Sequence, residues 1–278
     1  MKFSIITPSF RSSHWLKLCI ASVADQRGVE LEHIVQDSCS DDGTLDWLPQ
    51  DRRVRAYIEK DAGMYDAVNR GCQHATGDIL AYLNCDEQYL PAALTGVQDY
   101  FRTHPEIEVA LGGSIVTNGD GSYVCHRPSL IPRPHGICFR FAALTSSIFF
   151  RRSVVQDRKL HFDTQWRALG DLHWVAALLK ERVPIGVIPG FQAVFADTGE
   201  NLGLSPQARR ETQETLARIP AWARWLKLYW IGEHRFRRLV AGHFNLKATE
   251  YEIYTKSSPE RRVKFSVPDP TAVWRNRL

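Results

Sequence analysis

The first hundred residues alternate between two hydrophobic periods, and that alternation constrains the fold more than any other feature of the chain. Phe3-Ser-Ile-Ile-Thr7 is a short apolar run halted at Pro8 and reads as a buried strand. Trp15, Leu16, Cys19, Ile20 and Val23 then repeat at helical spacing, with Ser12 or Ser13 available to cap the start. A second strand, Leu31 to Gln36, gives way to the polar stretch Asp37 to Thr44, and Val54 to Ile58 reads as a third. Met64, Val68, Cys72 and Ala75 share one helix face. Asp78 to Leu83 makes a fourth strand running into Asn84-Cys85-Asp86-Glu87; a helix from Pro91 to about Arg102 and a strand from Ile107 to Leu111 follow. Strands alternating with helices imply an α/β fold with a doubly wound, mostly parallel sheet. Ligands of such sheets bind beyond the carboxyl ends of the strands, where the loops after strands one, two and four fall.

Farther along the pattern loosens. Gly112 to Pro134 is turn-rich, Ser146 to Phe150 reads as a strand, and Asp171 opens a helix carrying Leu172, Val175 and Leu179. Val183 to Ala196 holds one or two more strands, and from Ser205 the pattern turns helical and basic. Residues 204–278 carry 15 Lys and Arg against 7 Asp and Glu, whereas residues 1–203 carry 20 against 24. The expected organisation is therefore a globular domain over 1–203 and a basic helical extension over 204–278, the extension touching something anionic. No apolar run is long enough to span a bilayer, Met1 to Thr7 lacks a signal-peptide pattern, and the six cysteines are scattered without a C-x-x-C pair. A cytoplasmic, reducing compartment is expected.

Acids gather at the strand ends. Asp37, followed by Asp41-Asp42-Gly43, suits either a hydrogen bond to a base or ribose or an ordinary turn. Asn84, Asp86 and Glu87 offer hard oxygen atoms suited to Mg²⁺ or Mn²⁺ on a diphosphate, or else an acidic turn before the next helix. Asp61 and Asp66 sit at a strand-to-helix junction, where acids favour the helix dipole. Asn69, inside the helix, gains nothing from propensity and so points to a side-chain duty.

Together these segments resemble glycosyltransferase family 2. The resemblance rests on Thr7-Pro8-Ser9-Phe10, on Gln36-Asp37-Ser-Cys-Ser-Asp-Asp-Gly-Thr44, and on Asp61-x-Gly-x-Tyr-Asp-Ala-x-Asn-x-Gly71. Ala75-Thr-Gly-Asp78 and Leu83-Asn-Cys-Asp-Glu87 complete it. Five short motifs in order over some ninety residues are far more specific than any one of them. The resemblance implies a GT-A fold and inverting transfer of a sugar from a nucleotide-diphosphate sugar, as in bacterial exopolysaccharide and lipopolysaccharide assembly. Residues 1–110 would bind the donor and 111–203 a glycan or lipid-linked acceptor. Thr7, Pro8 and Ser9 would lie against the base, with Asp37 bonded to it. Asp61 and Asn69 would help seat the nucleoside and phosphates, beside Asn84 and Cys85. Asp86 matches the last acid of the family's Asp-x-Asp metal motif, whose first acid is Asn84 here, so the site has one charge fewer.

Inverting transfer needs a base, because a sugar hydroxyl is a weak nucleophile near neutral pH. Asp171 resembles the family's base, with Gly170 where relatives often carry a second acid. A plain N-terminal helix aspartate fits the same position. His173 is an alternative that a helix would turn elsewhere. Asp197 to Gly203 resembles a glycine-containing loop able to close over the donor.

In the tail, Trp222, Trp225, Leu226, Tyr229 and Trp230 with Arg224, Lys227, Arg235, Arg237 and Arg238 suit either docking on anionic lipid or packing on the domain or a second subunit. No groove-reading motif suggests nucleic acid. A nucleotidyltransferase would carry a glycine-rich basic loop after strand one, which Pro8 to Ser13 lacks. A non-catalytic sugar- or nucleotide-binding module would have no use for Asp171.

Overall fold

A computed structural model of the chain describes residues 1–141, 143–199 and 201–274. Strand β1 (Lys2–Ser9) lies inside the sheet and is buried from Phe3 onward. It pairs in parallel with β2 (Glu30–Asp37) and β4 (Ile79–Tyr82), and β2 pairs in parallel with β3 (Arg55–Ile58). The helices between them, α1 (Ser13–Ala24) and α2 (Met64–His74), cover opposite faces. Both faces of β1 are therefore buried, which is why it reads as a continuous apolar run. Phe3 and Ile5 point to a core shared with Cys19 and Val23, whereas Ile6 points to one shared with Val68, Cys72, Tyr82 and Trp174.

Past β4 the sheet becomes mixed. Strands β5 (Glu87–Tyr89), β6 (Val109–Asn118), β7 (Tyr123–Arg127), β8 (Ile148–Arg151) and β9 (Ile185–Asp197) complete the order β3-β2-β1-β4-β8-β6-β9-β5, with β7 beside β6. Strand β8 runs antiparallel to both β4 and β6, and β6 and β9 are parallel. Helices α3 (Ala93–Thr103), α4 (Ser153–Gln156) and α5 (Gly170–Lys180) pack along this half. The stretch expected to be turn-rich after Gly112 instead continues β6. The register shifts at Gly113, where a Cβ would come within 2.5 Å of the Gly190 carbonyl, and Gly190 itself has φ +79°. Two glycines let two backbones touch, and side-chain periodicity carries no trace of it.

The tail is helical only at first. Helices α6 (Pro206–Arg218), α7 (Ala221–Trp225) and α8 (Lys227–Val240) precede a hairpin, β10 (Thr249–Thr255) and β11 (Ser258–Val267). The expectation of a wholly helical extension is thus corrected over its last third. The hairpin is pinned to the domain beside β5. Arg262 forks onto Asp25 at 2.6 and 2.7 Å and reaches the Tyr89 carbonyl at 2.9 Å. The Gln88 amide exchanges two hydrogen bonds with the Tyr254 backbone. No helix among the described residues is long and apolar enough to cross a membrane.

Candidate active site

Four parallel strands end at one edge, and their loops open a cleft of about 850 Å³. Pro8 and Ser9 close β1, Lys60 to Gly63 follow β3, and Asn84 to Asp86 follow β4; all line the cleft. Asp171 on α5 and the loop residues Thr198, Asn201, Leu202 and Gly203 close the other side. Glu200 of that loop lies outside the described residues. Of the residues expected at the site, Pro8, Ser9, Asp61, Asn84, Cys85, Asp86 and Asp171 line one cavity.

Thr7, Asp37 and Asn69 do not line it, and each is engaged behind the wall. The Thr7 hydroxyl shares a hydrogen bond with His33 at 2.9 Å, fully buried. Asp37 accepts from the Ser40 amide through Oδ1 and from the Ser9 and Ser40 hydroxyls through Oδ2, at 2.7–2.8 Å. A direct bond to a base would require it to exchange those partners. Asn69 has the side-chain duty its position suggested, but a structural one: its amide donates to the Phe162 carbonyl and accepts from the Phe162 amide, at 2.8 and 3.0 Å.

The segment Asp61 to Gly71 now reads residue by residue. Asp61 Oδ1 accepts from Gly63 N, and Gly63 takes φ +130°, which favours glycine. Asp66 accepts from the Ala62 amide and pairs with Arg70. The Tyr65 hydroxyl reaches across to Asp171, and a Cβ on Gly71 would overlap Ile6 of β1. The motif is a strand-to-helix turn pressed against the sheet so that Asp61 and Tyr65 face the cleft.

After β4, Cys85 donates its thiol to the Pro8 carbonyl at 3.3 Å and ties two loops together. Glu87 is fully buried, accepting from the Asn84 amide at 2.8 Å and from the Thr145 hydroxyl at 3.2 Å. It organises the loop from behind while Asp86 faces the cleft. Burial pushes both carboxyls up from the ordinary range, and the neighbouring charge of Asp86 adds to the rise at Glu87. Asn201 donates to Asp86 Oδ2 at 3.1 Å. Asn84 Oδ1 is buried without a hydrogen-bond partner, an acceptor left open next to a carboxylate. Among the described residues no three His, Cys, Asp or Glu side chains converge as a metal cage.

Asp171 lies in the first turn of α5 without capping it; Leu169 is the N-cap. Its Oδ1 accepts from Leu172 N at 2.8 Å and from the Tyr65 hydroxyl at 3.2 Å, while Oδ2 has no hydrogen-bond partner among the described residues. Burial raises its pKa to about 6 against the pull of those two hydrogen bonds. Gly170 is explained by the same tyrosine, because a Cβ there would sit 2.6 Å from the Tyr65 ring. His173 points away, stacked on Trp166 and bonded to Thr215.

Three residues at or behind the cleft wall went unread in the sequence. Lys60 and Arg167 bring positive charge to the cleft wall. Glu211 of α6 accepts from the amides of Arg167, Ala168 and Leu169 at 2.8–2.9 Å, fixing the loop that leads into Asp171. Burial would raise Glu211, but these bonds and one from Gln207 outweigh it and hold the carboxyl below its ordinary range. Arg151 caps carbonyls of Phe101, Pro105 and Ile107, and His135 packs on Trp222; neither lines the cleft.

Residues 4–178 match the model of glycosyl transferase family 2, well over half of the chain. The chain belongs to glycosyltransferase family 2. A relative named for teichuronic acid biosynthesis, TuaG of Bacillus subtilis, is 35% identical over 91 residues, covering 31% of this chain and 36% of TuaG. Staphylococcus aureus TarS, solved with UDP-GlcNAc, superposes with a TM-score of 0.62 at 18% identity over 79% of this chain and 65% of that one. The mannosyltransferase PcManGT of Pyrobaculum calidifontis, solved with GDP-Man and Mn²⁺, gives 0.55 at 16% identity over 86% and 75%. These two likenesses establish the GT-A architecture. The chain thus spans about a third of TuaG, 65% of the TarS chain and 75% of the PcManGT chain.

Proposed function

We propose that this family 2 chain is an inverting glycosyltransferase. It moves a sugar from a nucleotide-diphosphate sugar to a hydroxyl of a glycan or lipid-linked glycan during cell-surface polysaccharide assembly. The observation that carries the reading is Asp171: one oxygen is fixed by Leu172 and Tyr65, the other is unengaged, and the residue lines the cleft together with Asn84 and Asp86. A base held by one oxygen keeps its aim with the other. In the proposed reaction the acceptor oxygen bonds to the anomeric carbon as the anomeric carbon–phosphate oxygen bond breaks. The hydroxyl proton passes to Asp171 Oδ2, and a nucleoside diphosphate leaves from the opposite face.

The nucleoside lies along Pro8, Ser9 and Ser38, with Asp37 serving that end by holding Ser9 and Ser40. Lys60 and Arg167 face the diphosphate. Three carboxylates on the wall, Asp61, Asp86 and Asp171, outnumber those two cations, so a diphosphate calls for further positive charge. Asp86 and the open acceptor Asn84 Oδ1 fit a hard divalent cation. Those two residues would hold Mg²⁺ or Mn²⁺, which would supply Lewis-acid stabilisation to a departing diphosphate. The scattered, unpaired cysteines keep a cytoplasmic compartment within this proposal.

The test is the melting temperature with a panel of nucleoside diphosphates, each with and without Mn²⁺, since binding to the folded state raises it by mass action. A metal-dependent rise with one diphosphate is expected. No rise with any of them, from a folded sample, would sink the transferase reading.

A further inference from the structure

Helix α8 is built inside out. Leu228, Tyr229, Gly232, Phe236, Leu239 and Val240 follow one another at helical spacing and form a single exposed stripe. Trp225, at the end of α7, extends it and is 91% exposed; Leu228 is 81% exposed and Val240 71%. No residue of α8 is buried. The polar side faces the protein instead. Glu233 takes Arg133 at 3.2 Å and Arg237 at 3.6 Å, Arg237 donates to the Ile131 carbonyl, and Arg238 donates to the Ala272 carbonyl. Of the aromatic face read in the sequence, Trp230 turns toward the body near His135 while Trp225 and Tyr229 turn out. A helix on a globular protein normally lays its apolar stripe on the core. Here the ionic face is anchored and the apolar face is left uncovered.

The charge around the stripe selects what covers it. Over residues 221–247 the one acid is Glu233, turned inward onto two arginines. Arg224, Lys227, Arg235 and Lys247 are exposed, and no exposed acid lies among residues 221–247. A second copy meeting this face would set cation against cation, whereas an anionic bilayer complements it. Apolar side chains enter the acyl boundary, Trp and Tyr rest at the headgroups, and Arg and Lys reach lipid phosphates.

We infer that α7 and α8 dock the protein on the surface of an anionic lipid bilayer. The loop that anchors α8, residues 131–140, runs on into Phe141 and Leu144 of the cleft wall. Docking therefore brings the cleft to the headgroups, and its use for a lipid-linked acceptor rests on the transferase reading.

The experiment is co-flotation of the full chain with phosphatidylcholine vesicles, with and without phosphatidylglycerol. Two variants are compared: Trp225→Ser/Leu228→Ser/Phe236→Ser, and Arg224→Glu/Lys227→Glu/Arg235→Glu. All six positions are exposed, and unchanged melting temperatures verify folding. Wild type floats only with the anionic vesicles. The charge variant loses roughly 100-fold or more in partitioning, each removed cation being worth about a factor of five, and the apolar variant also drops to background. Wild type that stays unbound, or variants that float as well as it does, overturns the inference. So does a wild-type dimer in sedimentation velocity that the apolar variant dissociates while no form binds vesicles, because a second copy would then be the occupant. Nucleoside-diphosphate binding without vesicles, measured in parallel on all three proteins, reports on the transferase reading alone.

Discussion

Asp171→Asn separates chemistry from folding. The folded carboxyl titrates at about 6 against an ordinary 3.8, a difference of ~3 kcal/mol at ~1.4 kcal/mol per pH unit. Water reaching the cleft reduces that to about 1.5–3 kcal/mol. Because the folded value lies above the unfolded one, folding takes up a proton between the two. The destabilisation is fully present above about 6 and vanishes as pH falls through 3.8. Asparagine has nearly the same shape and keeps an Oδ1 for Leu172 N and the Tyr65 hydroxyl, so it removes the buried charge and little else. The variant should melt about 3–12 °C above wild type at pH 8, at ~2–4 °C per kcal/mol for a chain of this size. The gap should close toward pH 4. Turnover should fall at least ~100-fold, the usual contribution of a positioned base, while diphosphate binding persists. Wild-type kcat/KM should climb with pH through about 6. Melting curves across pH 4–8, with initial rates on the same samples, decide it. A variant less stable than wild type at pH 8 refutes the buried-charge argument, and retained turnover refutes the base.

Other perturbations address the supports of the site. Asp86→Ala should abolish the Mn²⁺-dependent part of the diphosphate-induced melting shift; an undiminished shift would move the metal elsewhere. Glu211→Ala strips three amides of their acceptor and should destabilise by about 2–4 kcal/mol. Its kcat and its diphosphate affinity should both fall, because the freed loop carries Arg167 as well as leading into Asp171. Unchanged kcat in a folded variant would refute the positioning role. Arg262→Ala removes the ion pair to Asp25, leaving it the Tyr254 hydroxyl alone, and takes a donor from the Tyr89, Glu252 and Ser22 carbonyls; it should cost about 3 kcal/mol in denaturant titration. Arg262→Lys should recover little, since lysine cannot fork.

The first four strands were legible because strands covered on both faces must be apolar throughout. The strand from Ile107 to Leu111 was legible too, but its continuation to Asn118 was not, because Gly112 and Gly113 signal a turn until Gly190 is known to lie against Gly113. The hairpin carried its own signal, Tyr251 and Ile253 alternating inward with Glu250 and Glu252, but the basic composition of the tail drew the reading toward helix. The same contrast holds in the site. Asp86 and Asp171 were singled out by the family resemblance of the residues around them, although Asn201 and Tyr65, which hold them, lie 115 and 106 residues away. Asn69 showed that its side chain was needed but not where, because its partner lies 93 residues away. Glu211 showed nothing: a glutamate on a polar helix is ordinary until three amides over forty residues earlier are seen to converge on it.

That convergence changes what the tail is for. The composition shifts near residue 204, but the packing does not divide there. Glu211 holds the approach to Asp171, and Arg262 forks onto Asp25 at the end of α1, the helix that follows the Pro8–Ser9 loop. Between those two attachments lie α7 and α8, with their apolar stripe facing out. A segment fixed at both ends to the body that holds the cleft cannot swing independently of it. Whatever the stripe rests on is therefore held at a set distance and angle from Asp171, and α6 is the element that transmits the geometry. On this reading the basic tail orients the cleft as well as tethering it, which a flexible anchor of the same charge would not do.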